Sequence, residues 1–319
     1  MTLPAVLGRL RLPVVGAPMF IVSHPALVIA QCKAGIVGSF PALNARPVSA
    51  LRTWIAEIRA ELAAWDAAHP EAPSAPFAVN QIVHKSNNRL DHDLAVCVEE
   101  KVPVIITSLG ARDDVNRAIH SYGGVVLHDI TTVVHAEKAL ERGADGLITV
   151  CAGAGGHAGT LSPFALVQEI RTFFDGPLAL SGAIANGRSV LAARAMGADL
   201  AYIGSAFIAT EEANATPGYK AGIVAGAARD IVYTNLFTGV PANYLRASIE
   251  AAGLDPENLP TSDPSQMSFA SKEDGSTPAK AWRDIWGSGQ GIGAVREVVT
   301  TAALVARLEH EYRAARESL

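Results

Sequence analysis

The sequence predicts a closed (β/α)8 barrel, an α/β fold, interrupted by a cap segment near its C-terminal end. Three observations carry that expectation. Eight short apolar stretches, at Val14–Pro18, Gly35–Phe40, Phe77–Val83, Val102–Leu109, Gly124–Ile130, Gly146–Ala152, Leu178–Ile184 and Leu200–Phe207, read as strands separated by helical patterns. Most are unbroken Val, Ile, Leu and Ala runs, as expected of parallel strands buried on both faces. A weak repeat also recurs: Ala139-Leu140-Glu141-Arg142-Gly143-Ala144-Asp145 and Ala193-Arg194-Ala195-Met196-Gly197-Ala198-Asp199 each read as a helix stopped by glycine before a strand. Eight such βα units close into a barrel. The competing doubly wound sheet normally carries a GxGxxG turn after an early strand, and Gly16-Ala17-Pro18-Met19 is not one.

Between the strands, Pro47–Ala64 places Leu51, Ile55, Ile58 and Leu62 on one helical face. Asp113–Ser121, Thr132–Arg142, Ser162–Phe174 and Arg188–Met196 follow similar patterns. Ser162-Pro163 reads as an N-cap followed by proline at the first helical position. Beyond Phe207 the pattern changes. Glu211–Ala227 reads as a helix rich in small residues, and from Asp230 to Trp286 strand periodicity gives way to Pro, Asn, Ser and Thr. A glycine cluster, Gly287 to Gly293, then leads into an amphipathic helix, Val295 to Glu317, with Val298, Leu304, Leu308 and Tyr312 facing the barrel. The expected division is residues 1–209 and 288–319 as barrel and 210–287 as a cap over one end.

The 319 residues are 49% hydrophobic with a net charge of −5, enough for one large domain with an elaborated cap. Mild acidity without a Lys/Arg cluster argues against a nucleic-acid partner. No apolar run reaches the ~18–20 residues of a membrane span, and the N-terminus lacks the layout of a signal peptide. A cytoplasmic protein without membrane contact is expected, and a homodimer is left open. Cys32, Cys97 and Cys151 are far apart in apolar surroundings and read as buried free thiols in a reducing compartment. No carboxylates show metal-ligand spacing. Asp91-His92-Asp93 reads as a solvated face, and His84, His120, His135 and His310 as solvated histidines.

The chemistry gathers around Ile148 to Gly159, ITVCAGAGGHAG. A β-branched run ends in a glycine-rich turn whose Gly153, Gly155 and Gly156 let backbone approach a flat or anionic ligand. His157 is the one side chain in that turn able to move a proton near neutral pH. In such barrels the strand C-termini form the active face. That rule adds Ala17-Pro18-Met19, Asn80 and Gln81, His128 and Asp129, Ser181-Gly182-Ala183, and Gly204-Ser205. The last two groups follow the seventh and eighth strands, where small residues expose N–H groups suited to a phosphate. A phosphorylated ligand under a histidine, in an apolar barrel mouth, is the expectation.

The anchors Gly16-Ala17-Pro18-Met19, Phe77-Ala78-Val79-Asn80, Gly153-Ala154-Gly155-Gly156-His157, Ser181-Gly182-Ala183-Ile184, Gly204-Ser205-Ala206-Phe207 and Gly289-Gln290-Gly291 resemble, in order, those of the nitronate monooxygenases, formerly 2-nitropropane dioxygenases. Their relatives include FMN-dependent enoyl-acyl-carrier-protein reductases and quinone reductases. The resemblance implies a TIM barrel holding FMN. Pro18 and Met19 would lie beside the isoalloxazine, Asn80 would bond the flavin, and Gly155 and Gly156 would pass close to it. Gly182, Ala183, Gly204 and Ser205 would hold the phosphate, with Ala17, Ser181, His128 and Gln290 also counted as cofactor contacts. His157 would be the base that takes the proton α to a nitro group, at a pKa near ambient, while FMN passes electrons to dioxygen. The motif departs from the family at Gly16-Ala17-Pro18-Met19, where QGGM is usual, and at Gly182-Ala183, where Gly-Gly is usual.

Other readings stand beside these. His157 read alone could merely close a turn. His128 faces the site or caps a loop; Asp129 orients a histidine or, by preference, N-caps the helix at Thr131-Thr132; Ser205 binds phosphate or caps a short helix. Tyr233, Tyr244, Trp282 and Trp286 are candidates for the substrate pocket. The alternative function is an NAD(P)H-dependent flavin reductase acting on an enoyl thioester or quinone. A third reading is a non-redox phosphosugar isomerase or lyase.

Overall fold

A computed structural model describes residues 3–263 and 284–319. Its main sheet has eight parallel strands: β1 (Val14–Gly16), β2 (Gly38–Pro41), β3 (Phe77–Ile82), β4 (Val104–Ser108), β5 (Val125–Ile130), β6 (Gly146–Val150), and, after a two-residue strand β7 (Gly156–His157) that lies outside this sheet, β8 (Leu178–Ser181) and β9 (Leu200–Ile203). They run β1-β9-β8-β6-β5-β4-β3-β2. A parallel bridge from Val15 to Val37, with Gly16 N donating to Val37 O at 2.8 Å, joins the two ends. The (β/α)8 expectation holds.

The apolar runs are continuous because both faces are covered. Val104 and Ile106 of β4 join Val15, Ala78, Leu127 and Ile148 in the lumen. Ile105, between them, packs outward with Leu51, Ile55 and Ile58 of α2 (Ala50–Ala68), the face read from their spacing. Leu7, from a 3-10 turn at Ala5–Leu7, joins the lumen cluster. The other helices on the barrel are α1 (Pro25–Lys33), α3 (Leu90–Glu99), α4 (Asp113–His120), α5 (Val133–Glu141), α6 (Pro163–Arg171) and α7 (Gly187–Ala195). Helices α1 and α3 carried weak patterns and were not among the expected ones.

The repeat has a physical basis. Both helices end at a glycine with positive φ, Gly143 at 87° and Gly197 at 109°. Two residues on, each aspartate reaches back to a strand start: Asp145 Oδ2 accepts from Val126 N at 2.8 Å, and Asp199 Oδ2 from Leu178 N at 3.0 Å.

After β9 come α8 (Ser205–Ile208) and α9 (Pro217–Ala225). The helix expected from Glu211 begins only at Pro217, because Thr216, preceding a proline, is extended and caps it. Strands β10 (Ile231–Thr234) and β11 (Ala242–Leu245), then α10 (Arg246–Ala251), lie within the stretch whose sequence lacks strand periodicity. The reason for the miss is length: each strand is four residues long, too short for periodicity to register. Together β10, β11 and β7 make an antiparallel sheet.

The last helix, α11 (Thr301–Glu317), also starts later than expected. Gln290–Ala294 is a 3-10 turn, and Val299 bridges to Thr210. The Glu212 carboxylate accepts from Thr301 N. Val298 is consequently 42% exposed rather than packed, while Leu304 and Leu308 are buried as read. α11 lies against α7, where any side chain on Gly187 would overlap the backbone of Tyr312 and Leu308. It thus serves as the helix of the eighth barrel unit.

One further expectation changes. Asp93 is fully buried, not solvated, and pairs with buried Arg89 at 3.1 Å. Cys32, Cys97 and Cys151 are free and buried, as read. No helix among the described residues is long and apolar enough to cross a membrane.

Candidate functional site

The C-terminal strand ends converge on a cavity of about 1150 Å³. This is large against the ~300–1,000 Å³ of ordinary small-molecule sites. Ala17, Pro18 and Met19 enter its wall directly from β1, whose continuation is fixed by Ala17 N donating to Ile203 O at 2.8 Å. Asn80 comes from β3, and His128 and Asp129 from β5.

The glycine-rich segment is more ordered than a turn. Gly156 and His157 form β7 and pair with Asn243 and Ala242 of β11. Gly156 adopts φ 65°, and a Cβ built on it would meet nothing within 4 Å, so the cavity has bare backbone here. His157 lies on the wall, with Nε2 3.2 Å from Thr238 Oγ1. Thr238 in turn donates to Val240 O at 3.0 Å. Thr238, in the β10–β11 connection, was missed in the sequence because a threonine in a polar loop carries no signal of its own.

Ser181, Gly204 and Ser205 also line the cavity. Ser205 Oγ accepts from Gly289 N at 2.9 Å, tying the late glycine cluster to the barrel. Gly182, Ala183 and Gln290 are not among the residues lining the cavity. Gln290 N donates to Gly153 O at 2.9 Å, and Ala183 packs against Gly153 and Gly291. Both contact the glycine segment at Gly153.

The aromatic candidates divide. Trp286 and Tyr233 line the cavity; Trp286 stacks on Tyr219 at 5.1 Å, and the Tyr233 hydroxyl donates to Ala158 O at 2.9 Å. Tyr244 is fully buried away from it, and Trp282 lies outside the described residues. Tyr202, unremarked in the sequence, joins the wall from β9. Its signal was a polar aromatic inside a buried strand. Exposed His135 stands at the rim with Lys138 and Arg46.

Burial sets the electrostatics. It pushes the His157 imidazole down to about 4, well below the ambient value expected. His128 falls to about 4 through burial, helped by nearby His135, and its Nδ1 lies 2.6 Å from Thr107 Oγ1. Asp129 rises to about 7 through burial, partly offset by the hydrogen bond from Ser108. It does not cap the following helix. Thr132 does, accepting from His135 N at 3.2 Å.

Comparison with known proteins places this geometry. The model of the family described as nitronate monooxygenase matches residues 6–311. The nitronate monooxygenase of Paraburkholderia phytofirmans is 28% identical, over 96% of this chain and 94% of its own. The solved nitroalkane oxidase from Streptomyces ansochromogenes superposes with a TM-score of 0.81 at 25% identity, covering 99% of this chain and 100% of that one. FabK from Thermotoga maritima gives a TM-score of 0.77 at 26% identity, covering 98% and 96%.

Proposed function

Since the chain belongs to the nitronate monooxygenase family and is therefore an oxidoreductase, we propose that it binds FMN non-covalently and oxidises alkyl nitronates and nitroalkanes with dioxygen. The residues present fit the cofactor. Bare backbone at Gly156 gives a flat ring close approach. Ser181, Gly204 and Ser205 at the β8 and β9 ends suit its phosphate. Asn80 spends both amide hydrogens on Ile106 O and Ser108 Oγ, so it offers the cavity an acceptor oxygen. Bound there, FMN would supply the redox chemistry, taking electrons from the substrate and passing them to dioxygen.

The observation that carries the reading is His157 on the cavity wall, braced by Thr238. Its low pKa keeps the imidazole neutral and able to accept a proton at pH 7, but leaves it a weak base before substrate arrives. Taking the α-proton creates a nitronate anion beside the new imidazolium, and that charge pair offsets the cost of burial. An already ionised nitronate needs no such step, so His157 would then only orient it. Nitronates should therefore turn over faster than the parent nitroalkanes. The segment 210–287 supplies Thr238, Tyr233 and Trp286 to this wall, in keeping with its proposed role as cap.

The test is the visible spectrum of the purified protein followed by anaerobic titration. Bleaching of the flavin by propyl-2-nitronate supports the proposal; a protein that takes up no FMN would sink it. Arg46 and Lys138 at the rim favour the second reading, an NAD(P)H-dependent reductase, since they could hold an anionic nucleotide. Fast bleaching by NADH or NADPH in the same experiment would select it.

A further inference from the structure

Arg46 is half-buried on the cavity wall and forms no ion pair among the described residues. Its Nε donates to Leu43 O at 3.0 Å, and its guanidinium lies over the Phe20 ring, 5.3 Å from the centroid. Those contacts orient the group and leave its terminal nitrogens without a hydrogen-bond partner among the described residues. Burial, and the charge of nearby Arg89, lower its pKa, so the cation is held at a cost that an anion would relieve. The one carboxylate among the lining residues, Asp129, is hydrogen-bonded to Ser108 on β4 instead. The stretch that carries Arg46 is itself fixed, because buried Arg89 donates to Ala45 O at 2.9 Å and to Ala42 O at 3.2 Å. An arginine set in this way is a preformed fork for a carboxylate or phosphate.

The wall beside it is apolar. Ile21 follows β1, Leu43 follows β2, Ile82 ends β3 and Leu109 follows β4. These strands are neighbours in the barrel, the bridge from Val15 to Val37 joining β1 to β2. None of these four side chains belongs to a hydrophobic cluster of the core, although all line the cavity. Two of them are also strained. Ile21 has φ 67° and Leu109 φ 60°, a region that branched side chains rarely adopt. Ile21 is pinned there from both sides: its N donates to Asn44 Oδ1 at 3.0 Å, and Asn214 Nδ2 donates to its O at 3.0 Å. Such strain persists where the surroundings enforce it, and it gathers at ligand clamps.

We propose that the molecule this cavity takes beside the flavin is an amphipathic anion, its apolar body against Ile21, Leu43, Ile82 and Leu109 and its carboxylate or phosphate paired with Arg46. The inference rests on the site proposed above and names the class of its substrate. Ser181, Gly204 and Ser205, which suit the FMN phosphate, come from β8 and β9, so Arg46 is a second place for an anion. In the strand order β2, which precedes Arg46, stands opposite β6, which precedes His157. A chain reaching from one to the other fits a cavity of about 1150 Å³ better than a nitroalkane of a few atoms.

Calorimetric titration tests this with octanoate, octyl phosphate, octanol, propanoate and ADP, each with and without saturating FMN. In at least one of those states octanoate or octyl phosphate should bind about tenfold or more tightly than octanol, propanoate and ADP, and the better of the two identifies the head group. Arg46→Met, which keeps an apolar stem over Phe20, should weaken the octyl anion about 10- to 100-fold, and Arg46→Lys should recover part of that loss. Octanol binding as well as octanoate and octyl phosphate, or Arg46→Met binding them like the wild type, overturns the role of Arg46. Propanoate or ADP binding as tightly as the octyl anions overturns the apolar body, and ADP would then assign the anion to a nucleotide. A protein that takes up FMN and binds neither octyl anion overturns this proposal alone. One that takes up no FMN, yet binds them through Arg46, overturns the cofactor reading and leaves this one standing.

Discussion

His157 illustrates how burial limits a side chain that sequence can only locate. Held at about 4, its imidazole is neutral across the physiological range. Replacing it with Asn should cut turnover of neutral nitroalkanes by ~10²–10⁴ while leaving FMN bound and nitronate turnover much less affected. Steady-state rates with nitroethane and with its nitronate check this; equal losses on both would remove proton transfer from its role. Because the group loses its basic form only below its own pKa, the His157-dependent rate on nitroalkanes should stay level from pH 8 down to about 5. An acid limb near 6.5 would show instead that the imidazole is solvated.

At the scale of elements, the short sheet formed by β7, β10 and β11 matters most, because it joins the glycine segment to the cap. Thr238 reaches His157 only because β10 and β11 return as a hairpin across it. Thr238→Val should lower nitroalkane turnover about three- to tenfold, the worth of one hydrogen bond, without changing the melting temperature by more than a degree or two. The α7–α11 contact makes a different prediction. Gly187→Leu would force the two helices apart and should destabilise the fold by about 1–3 kcal/mol. The melting temperature would fall while the spectrum of any bound flavin stayed unchanged.

Across the whole molecule, the buried titratable groups oppose one another in their response to acid. His128 and His157 each have folded values of about 4 against 6.5 unfolded, so the unfolded chain binds more protons between those limits. Their contribution to stability is present above pH 6.5 and is lost as pH falls toward 4. Asp129, raised to about 7 from 3.8, acts the other way and gains stability for the fold as pH falls through 7. Asp129→Asn should therefore steepen the loss of stability between pH 7 and 4, measured as melting temperature without ligand. Saturating FMN should raise that temperature, since ligand at 100 times its Kd adds about 2.7 kcal/mol.

Much of this was legible in one dimension. Continuous apolar runs identify parallel strands, because two covered faces leave no polar positions to alternate with. The Ala139–Asp145 and Ala193–Asp199 repeats identify helix ends, because glycine at positive φ and an aspartate reaching back are local devices. Strand ends on one side of a barrel then place Asn80, His128, His157 and Ser205 around a common space. What tertiary structure alone decided was who stands next to whom. Thr238 lies 81 positions from the histidine it braces, and Ser108 lies 21 from the aspartate it binds. Gln290 is bonded through its backbone to Gly153 of the glycine segment, and Asp93 is buried against Arg89. Periodicity records which face of an element is covered, whereas burial of a charge and the partner of a proton depend on neighbours that folding brings from elsewhere in the chain.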